Sequence, residues 1–252
     1  MFYRLMRSYF LFFNLVTVML VACTAQTPVV APVSVVTHGT AHGAAGTVVP
    51  ITRSASSPPP VAFNLDKGNE IGFVYEAFLS PHQEPADEED TPSIAPQAFR
   101  STAPSTRRVH RKSRGHGFVR ITNDLSRAYV DVKIENINPD DIVLFHIHCG
   151  KPDMLGPILV DFGMGIDLTK QFNQGVFTFE VSNEHLVSVA NAGHVLVGFA
   201  TAGCPVLPTL DRIRTIAGMK YVAEQKELYF NLHTKGQTFY GDIRGQLHPI
   251  TK

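Results

Sequence analysis

The chain has 252 residues, 44 % of them hydrophobic, with 17 Phe, 7 Tyr and no Trp. This is an ordinary globular composition that fits one large domain or two small ones. Its 22 Lys and Arg balance its 22 Asp and Glu, which excludes a global positive field of the kind that gathers nucleic acid. Charge is segregated locally instead.

Residues 1–8 hold Arg4 and Arg7 and no acid, and residues 9–21 (YFLFFNLVTVMLV) are apolar apart from Asn14 and Thr17. A basic start, a short apolar run and small residues ahead of a cut are the parts of an export signal. The run falls short of the ~20 residues that span a membrane. Leu20-Val21-Ala22-Cys23 resembles a bacterial lipobox, which implies that Cys23 is lipidated and anchors the mature chain, residues 1–23 being the signal. Cleavage after Ala25 would discard Cys23 and release a secreted protein, and an uncleaved anchor is the third reading. The expected location is the cell envelope, membrane-anchored, or outside the cell.

Residues 24–60 carry one charged side chain, Arg53, among repeated Thr, Val, Ala, Gly, Ser and Pro, and end on Pro58-Pro59-Pro60. Such a composition favours a flexible or extended tether; a short edge strand from the valine pairs is the alternative.

The domain is expected over 61–250. Residues 71–80 open it as a strand. Residues 84–114 follow as a loop that is acidic first, then Pro-rich, then basic through Arg107, Arg108, Arg111, Lys112 and Arg114. A run of this kind is expected to be disordered. Its basic half is a candidate site for anionic polymer or lipid headgroups; a solvated loop whose halves neutralise each other is the plainer reading. Strands are expected at 117–123 and 127–137, the second with Ala128, Val130, Val132 and Ile134 alternating with polar residues, as in a half-buried antiparallel strand. Asn138-Pro139-Asp140-Asp141 is a turn by its chemistry. Residues 142–149 suit a central strand, and 157–162 and 175–181 two more. A helix is expected over 182–192, capped by Ser182, a strand over 195–200 and a second short helix over 209–219. Residues 226–248 close the domain as strand, break and strand. Many short strands with turns between them argue for an all-β fold, an antiparallel Greek-key-like sandwich or barrel with one or two short crossover helices.

Side chains two apart on a strand share a face, so His146 and His148 point the same way, about 7 Å apart at Cα. Tyr229, Asn231 and His233 likewise share one face, and His233 supplies a third imidazole if the strands are neighbours. Three imidazoles suit zinc or copper. The alternative is that all three are neutral, buried and hydrogen-bonded. No nucleophile–base–orienter set emerges, so no catalytic residue is assigned and an enzyme is not the expected outcome. Cys149 and Cys204, in an exported chain, favour a disulfide closing a loop of roughly 55 residues, with Cys149 as a metal ligand beside His148 the alternative. Asp242 and Arg244 share a face; the planar fork of Arg244 suits a buried carboxylate or several strand-end carbonyls, which reads as a structural ion pair, with recognition of a ligand carboxylate or phosphate as the other reading. Gly241 and Gly245 allow close backbone approach or a bulge.

The His146-x-His148 strand, the Gly156-Pro157 turn and the closing Tyr229-x-Asn231-x-His233-Thr234…Gly241-Asp242-Ile243-Arg244-Gly245 segment together resemble the CHRD (chordin-type) domain. Phe78-Leu79-Ser80…Gln83-Glu84-Pro85 resembles its opening. The chain departs from that pattern by Asp242 in place of Glu, by residues 236–240 in place of a Pro-Gly turn, and by 84–114, which is an insertion. The resemblance implies an extracytoplasmic β-sandwich found in secreted and surface proteins, with no settled biochemical activity. It points to a non-enzymatic surface module with a structural or binding role, an extracellular protein or polymer as partner, no nucleic acid and no cofactor. The alternative is a copper- or zinc-binding protein: Phe145-His146-Ile147-His148 also resembles the copper strand of copper–zinc superoxide dismutases. The second metal-binding loop of those enzymes has no counterpart here, so an active dismutase is not expected. A third reading is an adhesin acting through 107–114.

Overall fold

The computed structural model describes residues 64–172, 174–192, 203–205 and 211–250. The export signal, Cys23, the tether and the strand expected at 195–200 lie outside the described residues.

The described strands are β1 (Ile71–Leu79), β2 (Arg114–Thr122), β3 (Ala128–Glu135), β4 (Ile142–Cys149), β5 (Ile158–Asp161), β6 (Val176–Val181), β7 (Leu228–Thr234), β8 (Ile243–Gln246) and β9 (His248–Pro249), with helices α1 (Leu168–Gln171), α2 (Asn183–Ala192) and α3 (Ile216–Glu224). They form an all-β sandwich. One sheet runs β6-β3-β2-β1-β9 and the other β5-β4-β7-β8, with antiparallel pairing throughout. Among the described residues no helix is long and apolar enough to cross a membrane.

The period-two pattern read in β3 holds: Ala128, Val130, Val132 and Ile134 are buried and the residues between them are not. In the second sheet, β4 turns Phe145 and Ile147 into the core. Phe145 meets Phe162 at 4.7 Å, Phe177 at 5.3 Å and Phe230 at 5.8 Å between ring centroids, an aromatic cluster whose burial is a principal source of fold stability. β7 is different, being buried along all seven residues. Leu228, Phe230 and Leu232 face the core, so Tyr229, Asn231 and His233 must be covered from the other side.

Part of that cover is the 84–114 segment, and here the expectation of disorder is corrected. The segment is ordered into short 3-10 turns at Glu88–Asp90, Gln97–Phe99 and Arg108–His110. Its acidic and basic halves meet: Asp87 accepts from the Arg108 backbone N–H at 2.7 Å and pairs with both Arg107 and Arg108. Glu88 is buried and its carboxylate accepts from the backbone N–H groups of Thr238 (3.2 Å), Phe239 (3.0 and 3.1 Å) and Tyr240 (3.2 Å) and from the Ser101 hydroxyl (2.7 Å). One carboxylate on three backbone amides fastens the 84–114 segment to the β7–β8 turn. Opposite charges within one loop give this run the partners that a run of one sign lacks.

The helix expected at 209–219 begins later. Ile213 is buried and its N–H donates to the Cys204 carbonyl at 3.0 Å. Extended chain therefore continues to Thr215, whose hydroxyl accepts from Gly218 N and caps α3. The expected disulfide joins Cys149 to Cys204, with Cα atoms 6.0 Å apart, which removes Cys149 as a metal ligand. It ties the end of β4 to the segment leading towards α3. The Cys149→Ala/Cys204→Ala variant is expected to lose roughly 2–5 kcal/mol of unfolding free energy, measured by urea denaturation. A loss under about 1 kcal/mol would mean that the bridge constrains little.

Candidate functional site

β4 and β7 pair so that His146 lies opposite Asn231 and His148 opposite Tyr229. Strand alternation then places His146, His148 and His233 on the outer face of the second sheet, as the sequence spacing suggested. One ring nitrogen from each of the three lies within 4.8 Å of the others. All three side chains are buried.

Each imidazole has one nitrogen turned to the protein. His148 Nδ1 is 2.8 Å from the Gly156 carbonyl and His233 Nδ1 is 2.9 Å from the Thr238 carbonyl. A carbonyl only accepts, so both Nδ1 atoms carry the proton and both Nε2 atoms keep a lone pair. His146 turns Nε2 towards Asp161 Oδ1, at 3.6 Å, across the β4–β5 pair. The other nitrogens, His146 Nδ1, His148 Nε2 and His233 Nε2, are buried without a protein partner. Carbonyl support behind His148 and His233, with a lone pair in front, is the arrangement that fixes metal-ligating histidines; the Asp161 carboxylate lies behind His146 beyond hydrogen-bond distance.

The supports are themselves held. Arg244 donates to the carbonyls of Met154 and Lys151, both at 2.8 Å, and its guanidinium lies 3.5 Å from the centre of the Tyr229 ring. Tyr229 stacks on His148 at 5.0 Å, and its hydroxyl accepts from the N–H of Gly156 at 3.0 Å. Of the partners expected for Arg244, carbonyls are the ones it takes, in place of an ion pair. Asp242 pairs with Arg111 at 3.7 Å and accepts from Thr234 at 3.0 Å and from Ser113, while Arg244 reaches carbonyls of the turn after β4. Alternation puts Asp242 and Arg244 at successive positions of one face, and each finds a nearer partner. Gly241 has φ +111°, and a Cβ there would stand 2.0 Å from Asn231 Oδ1. A Cβ at Gly245 would stand 2.8 Å from Leu79 Cγ, where β8 passes close to β1. Both glycines of the signature are thus required by close approach.

The basic run is not assembled into one free patch. Arg107 and Arg108 pair with Asp87, and Arg111 donates to the carbonyls of Gly241 and Asp242; Lys112 and Arg114 are exposed. Sequence reasoning missed Glu88, Thr238 and Asp161. Glu88 sits in an acidic run with nothing to distinguish it, and Thr238 acts through its backbone. Asp161 could have been found, since a strand pairing β5 with β4 places it opposite His146.

Above the three ring nitrogens opens a cavity of about 240 Å³. Leu144, Leu155, Pro157 and Phe239 wall it from the domain, and Pro96 and Phe99 from the insertion.

Residues 97–247 match the family model of the CHRD domain, more than half of the chain. The opening motif at 78–85 lies outside the matched residues. No curated protein and no solved structure matches the chain.

Burial keeps the imidazoles neutral. It pushes His148 down to about 3 and His233 to about 4, and holds His146 well below the ordinary 6.5, with the neighbouring histidines adding to the effect. In the unfolded chain these groups protonate near 6.5. Between roughly pH 6.5 and 4 the unfolded state therefore binds more protons, and stability falls as pH falls, by up to about 1.4 kcal/mol per pH unit for each histidine. The metal-free protein is expected to lose thermal stability steadily below pH 6.5, and His148→Gln to flatten that loss. Equal slopes in the two proteins would place the acid sensitivity elsewhere.

Proposed function

This chain belongs to the CHRD domain family, and we propose that it is an exported, non-enzymatic surface module that holds one copper or zinc ion on His146, His148 and His233. One observation carries the reading: three buried imidazoles, with two carbonyls and a carboxylate behind them, turn their free nitrogens onto one point. Neutral imidazole is the form that ligates, so their depressed pKa values favour binding. His146 would bind through Nδ1 and the other two through Nε2. Three nitrogen ligands leave a further coordination position facing the cavity, which suits zinc or copper. Bound metal would supply a fixed positive charge and a Lewis acid at the cavity floor. The signal at 1–23 and the tether at 24–60 would present the domain outside the cytoplasmic membrane, anchored through Cys23. Its partners there would be extracellular proteins or polymers, and the internal pairing of Arg107, Arg108 and Arg111 weighs against an anionic-polymer adhesin.

The test is the metal content of the full chain, purified without a histidine tag from an oxidising compartment. Near-stoichiometric copper or zinc is expected, and His146→Ala/His148→Ala should lose it while keeping the disulfide and the strand spectrum. Added metal at about a hundred times its dissociation constant should raise stability by roughly 2.7 kcal/mol. A metal-free protein with no such gain would make the histidines purely structural. Asp161→Asn, which leaves all three ligands in place, is expected to weaken metal binding by roughly 10- to 100-fold; unchanged affinity would remove Asp161 from the site.

A further inference from the structure

The cavity above the histidines has a chemistry of its own. Its floor presents the Nε2 atoms of His148 and His233, which keep their lone pairs because both Nδ1 atoms donate to carbonyls, with His146 Nδ1 beside them. None of the residues lining it is Lys, Arg, Asp or Glu, and its walls include the rings of Phe99 and Phe239 and the side chains of Leu144, Leu155, Pro96 and Pro157. A carboxylate or phosphate finds no cation on such a floor when metal is absent, and would lose its hydration without replacement. A neutral ligand that carries one hydroxyl donor and an apolar body is matched on both counts. The volume is about 240 Å³, while a cavity of ~150 Å³ already accommodates benzene. One aromatic ring with small substituents fits.

We propose that this cavity is a binding site for a single-ring phenol, its hydroxyl directed at the three histidines and its ring held against Phe99 of the insertion. The insertion is built for the second role. Glu88 locks it onto the backbone of residues 238–240, and the Thr238 carbonyl on that same turn orients His233. The wall that touches the ring and the imidazole that receives the hydroxyl are thus positioned by one carboxylate. The inference uses the same three imidazoles as the metal reading but not the ion, since a phenol O–H can donate to a bare imidazole. In the loaded protein the phenol oxygen would face the open coordination position.

Isothermal titration of the full metal-free chain with phenol, anisole and benzoate tests this. Anisole keeps the ring and lacks the donor; benzoate keeps the ring and brings a charge. Phenol is expected to bind about tenfold tighter than either, the worth of one hydrogen bond to a desolvated acceptor. Phe99→Ala should weaken phenol about fivefold or more while leaving zinc affinity unchanged, and Phe99→Leu, which fills the space without a ring, should recover part of the loss. Phenol binding without metal binding would uphold the inference and sink the metal reading. Metal binding with phenol no tighter than anisole would overturn the inference and leave the metal reading standing. Phenol affinity indifferent to both Phe99 variants would also overturn it, because the ring would then lie elsewhere.

Discussion

β7 is buried on both faces, and that constraint organises the rest of the molecule. Its apolar side, Leu228, Phe230 and Leu232, belongs to the sandwich core, where water is excluded by the opposing sheet. Its other side carries Tyr229, Asn231 and His233, which cannot be removed from water without hydrogen-bond partners. An ordinary outer sheet face would leave such residues wet. Here a second layer of irregular chain, made from the turn after β4, the β7–β8 turn and the insertion, is laid over them. That layer is held by charge and hydrogen bonds as well as by its apolar side chains.

Two chains of contact show the same design. On one, Arg244 grips the carbonyls of Lys151 and Met154, the Tyr229 hydroxyl takes the Gly156 N–H, and the Gly156 carbonyl takes the proton of His148. On the other, Glu88 takes the Thr238 N–H and the Thr238 carbonyl takes the proton of His233. In each, a buried charged side chain orders a loop, and a backbone carbonyl of that loop fixes an imidazole tautomer. Charge-assisted bonds to several backbone groups are strong enough to do this where packing alone is thin. The Arg of the family signature thus serves the site without touching its free nitrogens, through the ring it covers and the turn it holds.

This division explains which features were legible in the sequence. Period-two alternation announced β3, and the spacing of His146, His148 and His233 announced their common face, because both follow from strand geometry alone. The Cys149–Cys204 bridge followed from a pair of thiols in a chain expected to be exported. The second layer was opaque. Glu88 looks like Asp87 or Glu89 until the turn at 238–240 presents three amides to it, and a backbone carbonyl such as Thr238's leaves no mark on residue identity. Alternation puts Asp242 and Arg244 on one face without naming the partner of either. Arg111, more than a hundred residues upstream, is the partner that folding brings to Asp242.

A histidine that only braces a fold is best satisfied by using both ring nitrogens, one as donor and one as acceptor. His148 and His233 each use one nitrogen on a backbone carbonyl and turn the other, with its lone pair, into a space shared with His146 Nδ1. Two lone pairs facing one another in a buried setting repel, and burial lowers the cost of keeping the rings neutral. Asn231 beside them, or a hydroxyl side chain in place of any one ring, would relieve the conflict by donation. Instead the Asn231 amide donates away, to the Tyr240 carbonyl. The unrelieved acceptors make sense for a floor whose partner arrives from the cavity side, as a metal ion or the O–H of a bound ring. The arrangement trades local stability for that readiness.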